Sequence, residues 1–117
     1  MSLACMIEIN EHPKIEVRWP VKMQTSVGYI DGEIERISDT CAYIRCTKPL
    51  SRSDFFSMTI EPPNRPPMEV GAEVIWIEIY LTPEREATPV GMEVRLINMS
   101  PNDLQLLSNL VSDNTKS

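Results

Sequence analysis

The stretch Arg36–Cys41 reads RISDTC and lies between two runs rich in β-forming residues, GYIDGEIE at 28–35 and AYIRC at 42–46. Its polarity is typical of a corner between two strands. A tight hairpin turn would carry Asn-Gly or Asp-Gly, because those residues tolerate the positive φ angles of such turns. This stretch instead carries an arginine, two hydroxyls, an acid and a thiol. What these side chains contact decides what the chain can bind.

Alternating apolar and polar residues predict strands on both sides of this corner. The extended segments are VRWPVKM at 17–23, EIERI at 33–37, CAYIRC at 41–46, FFSMTIEP at 55–62, MEVGAEVIWIEIYL at 68–81 and VGMEVRLINM at 90–99. Short strands separated by turn signals are typical of a small closed barrel. The predicted fold class is therefore all-β, a six-stranded antiparallel β-barrel. In the long fifth segment, Val70, Ala72, Val74 and Trp76 are expected to share one face.

The C-terminal segment changes to a helical period. Ser100 is suited to the N-cap and Pro101 to the first helical position. Apolar residues then recur three and four apart, which predicts a short amphipathic helix that docks on the sheet through Leu104, Leu107, Leu110 and Val111. The expected organisation is a flexible N-terminal segment at 1–9, a barrel domain with its helix at 10–112 and a frayed tail at 113–117.

Composition excludes several classes of function. The formal net charge is −6 and the isoelectric point about 4.7, so binding to a nucleic-acid polymer is not expected. No apolar run approaches the roughly 20 residues of a membrane helix, and the N-terminus lacks the pattern of a signal peptide. We expect a cytoplasmic protein with no membrane insertion. Its three cysteines are then expected to be reduced, with Cys41 and Cys46 on opposite faces of one strand.

Catalysis is not expected. His12 is the only histidine, and the sequence has neither a glycine-rich phosphate loop nor a GxSxG elbow. A histidine-based metal cluster cannot be built from one such residue. We therefore predict no enzyme activity, no metal site and no cofactor, which leaves a binding module as the better class.

The order of segments resembles the PilZ domain family, the bacterial receptors for cyclic di-GMP, from about Asn10 to Val111. Members of this family carry Arg-x-x-x-Arg just before the first strand, where this sequence has Asn10 and Lys14. They carry Asp/Asn-x-Ser-x-x-Gly in the corner between the second and third strands. At those positions this sequence has Arg36, Ser38 and Cys41. The resemblance implies that RISDTC occupies the ligand-binding corner of the family.

Four of these five positions depart from the family motif. An arginine binds phosphate through a bidentate fork and stacks on guanine, whereas a lysine offers a point charge. Asn10 and Lys14 each lose that fork, Arg36 replaces an acceptor with donors, and Cys41 adds a side chain in place of glycine. Losing two charge-assisted hydrogen bonds costs about 3–6 kcal/mol, or on the order of 10²–10⁴ in affinity.

The resemblance then implies a bacterial regulatory domain that acts through contacts with another protein, as non-binding PilZ members do in pilus and motility control. Cyclic di-GMP would be a weak ligand or none. A first alternative is a functional receptor with a variant pocket of Lys14, Arg36 and Ser38, since arginine can also bond guanine O6 and N7. A second alternative is a structural β-barrel subunit. Edge strands and exposed apolar positions are also consistent with a homodimer.

Overall fold

The computed structural model describes residues 14–26, 28–46, 51, 54–84 and 86–115. It contains six strands and, after them, one helix. The elements are β1 (Ile15–Thr25), β2 (Gly28–Ile37), β3 (Cys41–Arg45), β4 (Phe55–Ile60), β5 (Met68–Leu81), β6 (Ala87–Ile97) and α1 (Pro101–Thr115). No helix among the described residues has the length and apolar character that crossing a membrane requires.

The six strands form a closed antiparallel barrel in the order β1-β2-β3-β6-β5-β4. The predicted fold class is confirmed. Alternate residues of each strand point inward, as the pleat requires, and they fill the barrel with branched and thioether side chains. The fully enclosed members include Met23, Ile34, Ile44, Met58, Ile60, Met92 and Val94. On the neighbouring strands β3 and β6, the residues that alternate with these core positions therefore face the outside of the barrel.

A bulge in β5 changes which residues face the core. Val74 is opposite Val94, but the next pair joins Trp76 to Glu93, so Ile75 is an extra residue. A bulge of this kind shifts the alternation by one position. Trp76 therefore packs with Cys41 and Ile75 outside the main core, whereas Ile77 packs against it. The prediction that Trp76 shares the face of Val74 is wrong for this reason.

The helix begins as its sequence predicts. The backbone N–H of Asp103 donates to Ser100 Oγ at 3.1 Å, and that of Leu104 donates to the Ser100 carbonyl at 2.9 Å. Leu107 and Val111 are buried in the main core. Leu104 is instead 42% exposed, so its predicted contact with the sheet is wrong. The helix continues to Thr115.

Candidate functional site

The corner between β2 and β3 is organised by one buried hydroxyl. The N–H of Ser38 donates to the Cys41 carbonyl at 2.8 Å, which closes the turn. Ser38 Oγ accepts hydrogen bonds from the N–H groups of Thr40 and Cys41, both at 3.1 Å. Its side chain is only 1% exposed. The Ser38 hydroxyl thus satisfies backbone donors in a turn that has no glycine, and it is occupied by the corner itself.

The other polar residues of the corner fasten it to neighbouring elements. Thr40 accepts a hydrogen bond at its carbonyl from the N–H of Leu96 in β6, at 2.8 Å. Ser108 Oγ of α1 donates to Asp39 Oδ2 at 3.3 Å. The side chains of Ser38 and Asp39 therefore have structural roles, because the Ser38 hydroxyl holds the turn and the Asp39 carboxylate joins the turn to the helix.

A row of side chains crosses the outer face of the barrel next to this corner. Arg36 is opposite Tyr43, Tyr43 is opposite Glu93, and Glu93 is opposite Trp76. The Arg36 guanidinium carbon lies 4.8 Å from the centre of the Tyr43 ring. The Tyr43 and Trp76 rings are 6.2 Å apart and tilted by 42°. Arg36, Tyr43, Glu93 and Trp76 are called the outer row below.

Lys14 closes over this row. Although Lys14 precedes β1 and Glu93 lies in β6, the Lys14 Nζ atom donates to the Glu93 carboxylate. The two side chains are only 9% and 2% exposed. Burial raises the pKa of Glu93, and this effect is opposed by the hydrogen bond and charge of Lys14 and by the charge of Arg36. The charges of Lys14 and Arg36 therefore both favour the ionised form of this buried carboxylate.

Tyr43 is the second buried group of the outer row. Its hydroxyl donates to Glu78 of β5. Burial raises the pKa of Tyr43 well above its ordinary value, and the hydrogen bond and negative charge of Glu78 raise it further. The phenol thus stays protonated and works as a donor. Its ring supports Arg36 through a cation–π contact, which is strongest where water is excluded.

Cys41 fills the position where the family motif has glycine. Its side chain is buried against Ile75, and Trp76 packs beside them. Cys41 is disulfide-bonded, so the expectation of reduced cysteines is wrong for this residue. Cys46 is a buried thiol in the main core. The two cysteines of β3 and its end therefore face opposite sides, as their spacing predicts.

An open cavity of about 500 Å³ adjoins the outer row. It is lined by Val17 and by two acids and two arginines, namely Glu16, Arg18, Glu35 and Arg36. Glu35 in turn accepts a hydrogen bond from Arg45. The charges of this lining balance, so the cavity is not a strongly basic anion site. No group of three or more His, Cys, Asp or Glu side chains that could hold a metal occurs within the part of the chain described.

The structure thus brings Lys14, Arg36, Ser38 and Cys41 to one end of the barrel. Asn10 lies outside the described residues, as does the segment at 1–9 that was expected to be flexible. Sequence reasoning did not single out Glu93 or Tyr43, which form the centre of the outer row. In the sequence both are ordinary outward positions of alternating strands, and the contacts of Glu93 with Lys14 and of Tyr43 with Glu78 join residues that are distant in sequence.

The fold and this outer-face corner define a class of protein, a small closed β-barrel binding domain. The sequence profile of the PilZ domain family matches residues 8–113. The chain therefore belongs to the PilZ domain family, a family of cyclic di-GMP receptors with regulatory and signalling roles. No curated protein sequence matches the chain.

Solved structures with this fold include a PilZ domain with cyclic di-GMP and an inhibitor of motility. The chain is 14% identical to the PilZ domain of YcgR from Escherichia coli, solved with cyclic di-GMP, with a TM-score of 0.69 over 87% of this chain and 88% of that one. It is 18% identical to the Bacillus subtilis inhibitor of motility MotI, with a TM-score of 0.68 over 91% of this chain. This chain covers 52% of the length of that MotI structure.

Proposed function

We propose that this domain is a signalling module that regulates another bacterial protein by direct contact, and that it binds cyclic di-GMP weakly or not at all. The observation that carries this proposal is the buried ion pair between Lys14 and Glu93. In the family motif a cation at the Lys14 position is directed at a ligand phosphate. Here that cation is already neutralised by a carboxylate of the protein.

Replacing the Glu93 carboxylate with a ligand phosphate as the partner of Lys14 is electrostatically unfavourable. Binding a phosphate at Lys14 would separate the pair and leave Glu93 as an unpaired carboxylate in a desolvated place. The same carboxylate would also repel the incoming phosphate, because the repulsion between like charges is poorly screened where water is excluded. A ligand with two phosphates therefore gains little from Lys14.

The remaining motif positions support the same proposal. Ser38 is buried and already bonded within its turn, so it offers no free acceptor to guanine. Cys41 adds a buried side chain where glycine would let a ligand approach the backbone. Arg36 is the one exposed cation of the motif positions that the structure describes, and the Tyr43 ring lies beneath it.

A role in regulation rather than catalysis follows from family membership together with the absence of enzyme motifs in the sequence. The motility regulators among its structural relatives make a motility or surface-structure pathway the first place to look for the target. We assign no enzyme activity to the domain. The target is a protein, because the net charge of −6 disfavours a nucleic-acid polymer.

Isothermal titration of the purified chain with cyclic di-GMP tests the proposal. The expected result is a dissociation constant weaker than about 10 μM, which corresponds to a binding free energy less favourable than about −7 kcal/mol. Tighter binding would overturn the proposal and favour the second candidate, a receptor with a variant pocket. That candidate is supported by the open cavity at Arg18 and Arg36, and it predicts that Arg36→Ala abolishes binding.

A further inference from the structure

The end of β5 projects beyond the strand that pairs with its first half. β4 pairs with β5 from Met68 to Glu73, and among the described residues this pairing ends with the hydrogen bond from the Val74 N–H to the Asp54 carbonyl at 2.9 Å. Beyond Val74, β5 pairs with β6 as far as Leu81, and no described strand occupies its other edge. The segment Ile77–Leu81 is called the open edge below.

Hydrogen bonding fixes which backbone groups this edge presents. The Thr82 N–H donates to the Glu86 carbonyl, across the hairpin toward β6. The extra residue of the nearby bulge is on β6, because Glu78 is opposite Gly91 and Ile79 is opposite Pro89. Backbone groups alternate in direction along an antiparallel strand. Ile77, Ile79 and Leu81 therefore direct their N–H and C=O groups away from β6, toward the open edge.

The side chains of this edge do not protect it. Ile79, Tyr80 and Leu81 are 56%, 61% and 64% exposed. Proteins usually block an open strand edge with a lysine, a proline or an inward charge. Ile77–Leu81 contains neither lysine nor proline, and its one charged residue is Glu78, which is engaged by the Tyr43 hydroxyl.

We infer that the open edge pairs with the same edge of a second copy of this chain, antiparallel and about a two-fold axis at Ile79. In this register Ile79 is opposite Ile79 of the other copy, and Ile77 is opposite Leu81. Ile77, Ile79 and Leu81 all direct their backbone N–H and C=O groups to the interface, so the pairs that they form exchange about six hydrogen bonds. The apolar side chains of Ile77, Ile79 and Leu81 then meet on one face.

The polar face of the same register is also self-complementary. Glu78 comes opposite Tyr80 of the other copy, where the phenol hydroxyl can donate to the carboxylate. An axis at Glu78 would instead place two carboxylates directly opposite each other, which destabilises a sheet. It would also leave Leu81 without a hydrogen-bonding partner among Ile77–Leu81. The sequence of the edge thus favours a second copy with its axis at Ile79 over one with its axis at Glu78, and this inference does not depend on whether cyclic di-GMP binds.

Sedimentation velocity across low-micromolar to near-millimolar protein tests the association. A short interface of this kind predicts weak, reversible dimerisation. The wild-type mass should rise from 13.3 kDa toward twice that value, whereas Ile79→Lys should stay monomeric. Ile79→Pro should also stay monomeric, since it removes an outward N–H and no bond to β6. Tyr29→Lys, an exposed aromatic at the far hairpin, is the matched control and should dimerise normally.

Cysteine cross-linking tests the register. At a two-fold axis only Ile79 meets its own copy, at the Cα separation of about 5.5 Å that a disulfide accepts. Ile79→Cys should give a covalent dimer under mild oxidation, and Leu81→Cys, which faces Ile77, should give much less. The inference is overturned if the wild type stays monomeric at the highest concentration, if folded Ile79→Lys dimerises normally, or if both cysteine variants cross-link alike.

Discussion

The Lys14 Nζ atom donates to the Glu93 carboxylate, and the pair joins the residue before β1 to the fourth strand along the barrel wall. Glu93 points outward, because Met92 and Val94 on either side of it fill the core. It is nevertheless only 2% exposed, and Lys14, itself largely buried, is its hydrogen-bond partner. Under the proposed function, this pair is expected to lower the affinity for an anionic ligand.

Neutralising Glu93 should strengthen cyclic di-GMP binding. Glu93→Gln removes a negative charge beside the ligand site and releases Lys14 to bind a phosphate. A charge-assisted hydrogen bond contributes about 1.5–3 kcal/mol, so affinity should rise on the order of 10- to 100-fold. Isothermal titration of wild type and variant measures this change.

The matched control for that experiment is Glu69→Gln. Glu69 is an exposed acid of β5 opposite Thr59, away from the outer row. This variant changes the net charge by the same amount and should leave the affinity as it is. An equal gain of affinity in both variants would mean that only long-range charge matters. No gain of affinity in Glu93→Gln would show that the Lys14–Glu93 pair does not weaken binding.

The stability of the protein should depend on pH through Glu93. Its pKa in the folded state is raised above the ordinary value of 4.5 by burial, so the folded state binds this proton more tightly than the unfolded state does. The contribution of this group is fully present below pH 4.5 and is lost as pH rises through the raised pKa. Relative to Glu93→Gln, the wild type should therefore gain stability as the solution is acidified through this window.

Urea unfolding of both proteins at several pH values between neutral and pH 4.5 measures that difference. The quantity of interest is the free energy of unfolding of the wild type minus that of Glu93→Gln. A difference that rises toward low pH is expected. A difference that stays flat, or that rises toward neutral pH, would show that Lys14 outweighs burial at this site.

Ser38 should be a determinant of stability. Ser38→Ala leaves the N–H groups of Thr40 and Cys41 without their hydroxyl acceptor inside a buried turn. An unsatisfied buried donor costs about 1–3 kcal/mol. The free energy of unfolding should fall by that order, whereas Ser57→Ala, at an exposed position of β4, should change little. Equal stabilities would mean that the turn does not need this hydroxyl.

The sequence predicts the barrel, because alternation and burial agree at most strand positions, such as Met92 and Val94. It does not predict the face of Trp76, since a one-residue bulge at Ile75 leaves no local mark in an apolar run. The corner at Ser38 can be located by its composition. Glu93 cannot, because its partner Lys14 is distant in sequence. Local patterns predict local geometry, and the site is built from contacts between distant segments.

Restoring the family motif offers the sharpest test of the role of Glu93. A variant with Asn10→Arg, Lys14→Arg, Arg36→Asp and Cys41→Gly returns the family residue types to the four departing positions. On its own it should gain little affinity for cyclic di-GMP, because an arginine at position 14 would still be held by the buried carboxylate. Adding Glu93→Gln should then produce binding that titration detects easily.

The comparison of these two variants isolates one interaction, since both carry the same motif and differ only at Glu93. The loss of the Cys41 disulfide affects both equally, and circular dichroism with thermal melting establishes that each is folded. The five-substitution protein should bind at least about tenfold more tightly, the effect of one charge-assisted contact. If the four-substitution protein binds as tightly as the five-substitution protein, the motif residues alone set the affinity and the buried carboxylate has no part in it.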